Sequence, residues 1–259
     1  MSEIEYVLMD PSKNITILVE TFVEVEKQKK VAKELLKKEP KAEQVGFIMS
    51  FDENDISIRM AGGEFCGNAA MSVAAYYAIK NKIFDLERKV SFYGNDGNIK
   101  NEVRVKVHKK SNGKYEGTVY MPQPKSVKEI KLPNYKTLPV VAFDGISHII
   151  VDDAAEKKEF EKYIKEWCEY LNVEAVGIVF GKELQEEKYE IKPLVYVKDV
   201  DSLYWENACA SGTFAYGTYK MLNNNRLQHI YIKQPGGDTM EVQKSESEPL
   251  CLIGTVALM

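Results

Sequence analysis

At 259 residues, 44% hydrophobic and 29% charged, the chain has the size of one large globular domain or two of about half the length. A net charge of −4 without basic tracts argues against nucleic acid or a membrane surface as the main partner, and no apolar run approaches the ~20 residues of a membrane span. The start, MSEIEYVLMDPSK, lacks the basic-then-apolar pattern of a signal peptide, and Cys66, Cys168, Cys209 and Cys251 are scattered without a CxxC pair or a His cluster. These features predict a cytoplasmic protein with reduced thiols and no metal site.

In chain order, Tyr6 to Met9 and Ile15 to Phe22 read as strands around the turn Asp10 to Asn14. Val23 to Lys38 reads as a charged amphipathic helix with Val25, Val31, Leu35 and Leu36 on its apolar side. Gln44 to Phe51 and Asp55 to Met60 are predicted strands, followed by AGGEFCGNAAMSVAAYYAIK (Ala61 to Lys80): an extended approach, a cysteine, then a helix of small and apolar residues from Asn68 to Lys80. Val90 to Tyr93 and Val103 to His108 form a hairpin-like pair across Gly-Asn-Asp-Gly-Asn, and Gly117 to Met121 adds a strand before Pro122-Gln123-Pro124.

The order then begins again. Leu138 to Phe143 and His148 to Val151 are strands around Asp144-Gly145, and Glu156 to Leu171 is a second amphipathic helix with Phe160, Ile164, Trp167 and Leu171 inside. Glu174 to Val179 echoes Glu43 to Ile48, and YWENACASGTFAYGTYKM (Tyr204 to Met221) echoes the first cysteine unit, with its helix at Ser211 to Leu222. The offset grows by twelve residues between the echoes (from 177 − 46 to 209 − 66), which predicts an insertion around Gly181 to Glu190. Ile230 to Val242 reads as strand, Pro235-Gly236-Gly237 turn, strand.

Two halves with the same element order imply duplication. The fold class expected is α+β: two pseudo-symmetric domains, each a mixed sheet curled around a central helix. Residues 1–124 form the first domain with Cys66, residues 125–249 the second with Cys209, and 250–259 return as a strand to the first. The linker is expected near Pro122 to Pro139.

Asn68 and Ser211 are good helix N-cap types, and Gly67 permits close backbone approach. Cys66 and Cys209 are therefore expected at helix N-termini, where free N–H groups and the helix dipole favour a thiolate. A lone cysteine before an apolar helix is ordinarily a small buried hydrophobe, and Cys168 and Cys251 are read that way. For Cys66 and Cys209, recurrence of the same small-then-polar sequel in both halves points to chemistry instead. His108 and His229 are read as surface or packing residues.

At Glu43-Gln44-Val45-Gly46-Phe47-Ile48, Glu64-Phe65-Cys66-Gly67-Asn68-Ala69, Trp205-Glu206-Asn207, Cys209, Ser211-Gly212-Thr213 and Gln234-Pro235-Gly236-Gly237 the chain resembles the diaminopimelate epimerase-like superfamily of cofactor-independent racemases and epimerases. Within it the chain most resembles the histidine racemases. The resemblance covers nearly the whole length and implies exchange of a substrate Cα hydrogen between opposite faces, with no cofactor. That reaction needs a base on one face and an acid on the other, tasks that Cys66 and Cys209 would share as thiolate and thiol. Backbone N–H groups of Gly67, Asn68, Ala210 and Ser211 would hold the substrate carboxylate as charge develops, while Asn14, Gln44, Glu206 and Asn207 are candidate polar partners. His148 falls where the epimerases carry a His, here after Ile146-Ser147, and is expected to tune Cys209 from behind.

Diaminopimelate epimerases carry Glu-Arg-Gly shortly before the second cysteine, the Arg holding the distal carboxylate. Here Lys198 to Glu206 has no Arg or Gly and carries Asp199 and Asp201; the Asn those enzymes carry before the first cysteine is also missing from Arg59 to Gly63. The site implied takes one α-carboxylate and a side chain that is not an acid. Four alternatives stay open at this point: a racemase or epimerase for diaminopimelate or another amino acid, a one-base isomerase of the phenazine-biosynthesis type, an amino-acid-binding protein that does no chemistry, and a thiol redox sensor. Abundant Tyr and Phe would allow a homodimer surface, which nothing in the sequence locates.

Overall fold

The computed structural model describes residues 4–153 and 158–259; the first three residues of the N-terminal stretch and the first two of the helix expected from Glu156 lie outside them. The chain divides into two compact units, Met1–Met121 with Ile253–Met259, and Pro122–Leu252.

In the first unit β1 (Tyr6–Pro11), β2 (Thr16–Val19), α1 (Val25–Lys38), β3 (Gln44–Phe51), β4 (Ile56–Met60), α2 (Gly67–Lys80), β5 (Asp85–Tyr93), β6 (Ile99–Lys109) and β7 (Tyr115–Val119) follow in order. β2 pairs parallel with β3 and β4 with β5. Parallel neighbours cannot be joined by a tight turn, so α1 and α2 fill these crossovers. The chain's last strand, Cys251–Leu258, follows β7 in the sheet and also pairs with β1, Met9 opposite Leu258, which closes an eight-stranded barrel.

α2 packs against seven of these strands. Every residue from Gly67 to Ala78 is buried, as a helix apolar all round requires. The fit is close: a Cβ on Gly117 of β7 would lie 2.9 Å from Met71, so Met71→Ala would leave a cavity costing about 2–5 kcal/mol. At the far end Glu20 accepts from Tyr76 (2.8 Å) and Lys80 (2.6 Å).

α1 covers the outside of β3, where Ala32 and Leu35 join Val19, Val45 and Phe47 in one cluster. Of the four residues expected on its apolar side, only Leu35 is fully buried; Ala32 and Gln28 take the other central positions. Gln28 sits there because Arg59, 2% exposed, points out from β4 and donates to its Oε1 at 2.6 Å. A buried guanidinium needs acceptors more than the site needs another methylene.

The second unit runs β8 (Ser126–Lys131), β9 (Thr137–Ala142), β10 (Ile146–Asp152), a 3-10 turn at Lys158–Lys162, α3 (Ile164–Tyr170), β11 (Ala175–Gln185), β12 (Lys188–Val197), a 3-10 turn at Lys198–Val200, β13 (Ser202–Trp205), α4 (Ala210–Asn223), β14 (His229–Lys233) and β15 (Thr239–Gln243). Its sheet order is β8-β9-β10-β11-β12-β14-β15, with β13 on β12. Parallel pairs again fall at the helical crossovers, β10 with β11 and β12 with β14. α4 packs against β10, β11, β14 and β15, while α3 brings Trp167 and Cys168 into a cluster with Phe160, Ile178 and Phe180. The chain is a mixed α+β protein with a closed barrel and few helices.

Three expectations need correction. The segment expected as linker, Pro122 to Pro139, contains β8 and the start of β9, an antiparallel hairpin whose charged outer strand hid its pairing. The second amphipathic helix is broken into a 3-10 turn and the seven-residue α3. The twelve-residue insertion is not confined to Gly181 to Glu190. Half of it lengthens the β11–β12 hairpin, 175–197 against 44–60. The other half lies between β12 and Cys209, 197–209 against 60–66, where the second 3-10 turn and β13 sit.

Candidate active site

Cys66 occupies the N-cap of α2 with extended backbone (φ −137°, ψ 111°), and its Sγ accepts from the Ala69 N–H at 3.4 Å. Cys209 does the same at α4 (φ −122°, ψ 106°), accepting from the Gly212 N–H at 3.3 Å. The sequence suggested Asn68 and Ser211 as the capping types. The sulfurs cap instead, and Gly67-Asn68 and Ala210-Ser211 become the first two helical residues of α2 and α4. N–H groups at such positions have no acceptor within the helix. A sulfur held in this way lies at the positive end of the helix, a setting that favours the thiolate.

Around Cys66 the partners are carboxamides. The thiol donates to Gln44 Oε1 at 3.1 Å, and Gln44 Nε2 donates to Asn14 Oδ1 (2.6 Å) and Thr16 Oγ1 (2.7 Å). Asn14, 2% exposed, donates from Nδ2 to the Glu43 carboxylate at 2.7 Å. Asn14 is thus a buried member of a network, not a mere turn residue. The approach to Cys66 is held by Arg59, which donates to Asn95 Oδ1 at 2.5 Å, while Asn95 Nδ2 donates to the Gly62 carbonyl at 3.0 Å. Gly63 sits at φ +77°, and a Cβ there would lie 2.5 Å from Asn95, so both conformation and space demand glycine.

Around Cys209 the partners are a hydroxyl, an imidazole and a carboxylate. Ser211 Oγ lies 3.6 Å from Cys209 Sγ and 2.9 Å from His148 Nε2. His148 is fully buried on β10, and burial pushes its pKa down to about 3, so the ring is neutral. Its Nδ1 is buried without a partner. A bare lone pair costs less there than an orphaned N–H, which assigns the proton to Nε2 and makes the ring a donor to Ser211. Burial first, then the Glu206 carboxylate that accepts from the thiol, pushes the Cys209 pKa well up, against the Gly212 N–H and the Ser211 hydroxyl. Glu206 is itself fixed through its backbone N–H to the Pro193 carbonyl (3.0 Å). Asn207 accepts through its backbone carbonyl from Gly236 N–H at 2.8 Å, with its side chain exposed.

Gln234 belongs to the Gln234-Pro235-Gly236-Gly237 motif, of which the sequence predicts only the Pro235-Gly236-Gly237 turn. It is 2% exposed, accepts from the Cys209 backbone N–H (3.2 Å) and donates to Thr213 Oγ1 (2.9 Å) and the Ile232 carbonyl (3.1 Å). Thr213 in turn donates to the Cys209 carbonyl at 2.6 Å. Gln234 therefore ties the turn between β14 and β15 to the cap of α4. Its sequence signal was its place in the Gln234-Pro235-Gly236-Gly237 motif. Trp205 stacks on Phe180 (5.7 Å between centroids) and donates to Glu161 at 2.7 Å. His108 and His229 pair with Asp85 and Glu241. Among the described residues no group of three His, Cys, Asp or Glu side chains could hold a metal, and no helix is long and apolar enough to cross a membrane.

A family model described as histidine racemase CntK N-terminal domain matches residues 3–257. A histidine racemase from Fusobacterium nucleatum is 35% identical over 240 residues, 90% of this chain and 87% of that protein. Among solved structures, a hydroxyproline epimerase from Agrobacterium vitis with bound trans-4-hydroxy-L-proline matches with TM-score 0.66 at 9% identity, covering 99% of this chain and 89% of that one. A phenazine biosynthesis protein of the PhzF family from Bacillus anthracis also matches at 0.66, with 13% identity and coverage of 100% and 98%. These structural likenesses speak for the fold alone. The chain belongs to the histidine racemase family and is an amino-acid racemase.

Proposed function

We propose that this racemase interconverts L- and D-histidine without a cofactor, by a two-base mechanism in which Cys66 and Cys209 work on opposite faces of the substrate Cα. One cysteine, as thiolate, takes the Cα proton and becomes a thiol. The other, as thiol, delivers its proton to the opposite face and becomes a thiolate. The two sulfurs exchange roles for the reverse direction, and a single base would return the proton to the face it came from. Supporting this reading is one construction made twice: a cysteine Sγ capping a buried apolar helix, bonded to the N–H three residues on.

The carbanion is the costly species. Its charge spreads into the substrate carboxylate, for which the first-turn N–H groups of Gly67, Asn68, Ala210 and Ser211 are the proposed donors. One preorganised donor of this kind contributes about 3–4 kcal/mol, so four outweigh any plausible tuning of a thiol. In this reading Asn14, Gln44, Glu206 and Asn207 surround the substrate's polar groups, and neutral His148 acts through Ser211 to support Cys209 when it carries charge.

Histidine is the substrate that the family implies. The run Lys198 to Glu206 agrees with it, since it has no Arg to hold a second carboxylate and carries Asp199 and Asp201, the latter paired with Lys165 at 2.6 Å. The proposal includes the reading of the fold as a diaminopimelate epimerase-like pair of domains, 1–124 with 250–259 and 125–249, and a cytoplasmic location. Incubation with L-histidine and no cofactor, followed by chiral chromatography, tests it: D-histidine accumulates to parity. Turnover of diaminopimelate but not histidine would contradict the substrate assignment.

A further inference from the structure

The hydrogen bonds around Cys66 have a direction, and two acceptor-only groups fix it. The Glu43 carboxylate can only accept, so Asn14 must turn its Nδ2 toward it (2.7 Å) and its Oδ1 toward Gln44 (2.6 Å). The Asn14 backbone carbonyl can only accept, so Thr16 spends its proton there (3.2 Å) and must receive from Gln44 Nε2 (2.7 Å). Both protons of the Gln44 amide are thereby committed, and its Oε1 faces Cys66 Sγ at 3.1 Å. A carbonyl facing a sulfur is satisfied by S–H and repelled by S⁻. The acceptor at Cys209 is of another kind: the residue paired with Ile146 as Gln44 is paired with Thr16 is Ala175, the hydroxyl beside that sulfur, Ser211 Oγ, receives from His148, and the thiol faces the Glu206 carboxylate instead of a carboxamide.

We propose that Glu43 is a positioning residue which, through Asn14 and Gln44, sets the direction of the Gln44 carboxamide and so holds Cys66 as a thiol in the unliganded protein. The consequence for turnover rests on the two-base reading above: Cys66 starts as a thiol held by a neutral carboxamide and Cys209 as one held by a carboxylate, so the racemase is chemically asymmetric despite its repeated architecture. Replacing Glu43 with glutamine offers Asn14 a partner that can donate, which lifts the constraint through Asn14; Gln44 then turns its N–H₂ to the sulfur as Thr16 rotates its hydroxyl from the Asn14 carbonyl (3.2 Å, the longer of its two bonds) to Gln44 Oε1. The charged groups on the segments around Cys66 are Glu43 itself, the Asp10–Lys13 pair in the turn after β1, Arg59 on β4 and Glu64 two residues before the cysteine.

The test is the pH dependence of iodoacetamide alkylation at Cys66, read on its own peptide by mass spectrometry, in wild type, Glu43→Gln, Gln44→Met and the double variant. Glu43→Gln is expected to raise the rate at pH 7.5 roughly three- to tenfold, the worth of one hydrogen bond in an ionisation equilibrium, and to have no effect in the Gln44→Met background. An unchanged rate would overturn the proposal. So would an increase that persists undiminished in the double variant, since the carboxylate would then act through space. Should Glu43→Gln fold poorly, Asn14→Leu cuts the same relay and is expected to raise the rate likewise; no change in that variant would also overturn it. Alkylation reads the thiol whether or not the protein turns over histidine, so failure here is distinct from failure of the racemase reading, which full activity in Cys66→Ser would indicate.

Discussion

His148 and Gly177 stand side by side on the parallel pair β10 and β11, so close that a Cβ at residue 177 would lie 2.2 Å from His148 Nδ1. The missing side chain is what lets a full imidazole lie buried against α4 and reach Ser211. Gly177→Ala is therefore expected to push the ring off Ser211 and cost about 1–3 kcal/mol of stability, with a fall in kcat. Gly46→Ala, the counterpart in the other half, meets mainly the tip of Ile58, which can swing aside. Thermal melts and histidine turnover of the two variants check this, and equal losses would contradict it.

Burial that holds the His148 pKa near 3 has a linkage consequence. In the unfolded chain the ring takes up a proton near pH 6.5, which the folded protein refuses. Its contribution to stability is therefore complete above pH 6.5 and is lost as pH falls toward 3. His148→Leu removes this titration, so its melting temperature should change less between pH 7 and pH 5 than that of the wild type. Parallel pH dependences would show that the folded ring titrates normally.

Cys209 carries the opposite shift. Burial and the Glu206 carboxylate keep its thiol protonated at neutrality, so alkylation of Cys209 should be slow at pH 7 and rise with pH beyond the range of an ordinary thiol. Glu206→Gln withdraws the charge and should move that profile to lower pH. An unshifted profile would mean that the carboxylate does not control this sulfur.

Gln234→Leu should be among the most damaging changes outside the cysteines. It orphans the Cys209 N–H and leaves Thr213 and the Ile232 carbonyl short of a partner, at about 1–3 kcal/mol for each group that stays buried and unsatisfied. A markedly lower melting temperature is expected, together with reduced turnover. Retention of both would place the cap of α4 under other control.

The readable parts of this protein were those that the repeat states twice. Cys66-Gly67-Asn68 and Cys209-Ala210-Ser211 marked the two helix starts to within one residue, and the apolar runs after them gave buried helices because nothing else can hide such segments. Legibility failed where a polar residue serves a distant partner. Gln28 lay outside the apolar side expected of the first helix, yet it is buried on Arg59, and the motif containing Gln234 carried no sign that its amide holds the cap of α4. β8 was missed because an outer strand with Lys128, Glu129 and Lys131 exposed carries little hydrophobic alternation. Such signals are three-dimensional, and the one-dimensional pattern does not contain them.

The most direct measurement is the initial rate of L-histidine turnover in D2O, with mass and chirality of both isomers followed from the start. Two cysteines working on opposite faces predict D-histidine that carries deuterium at Cα while the remaining L-histidine stays protiated, and loss of this conversion in both Cys66→Ser and Cys209→Ser. D-histidine that keeps the original protium, or an L-histidine pool that gains deuterium as fast as the D-isomer forms, would contradict the account.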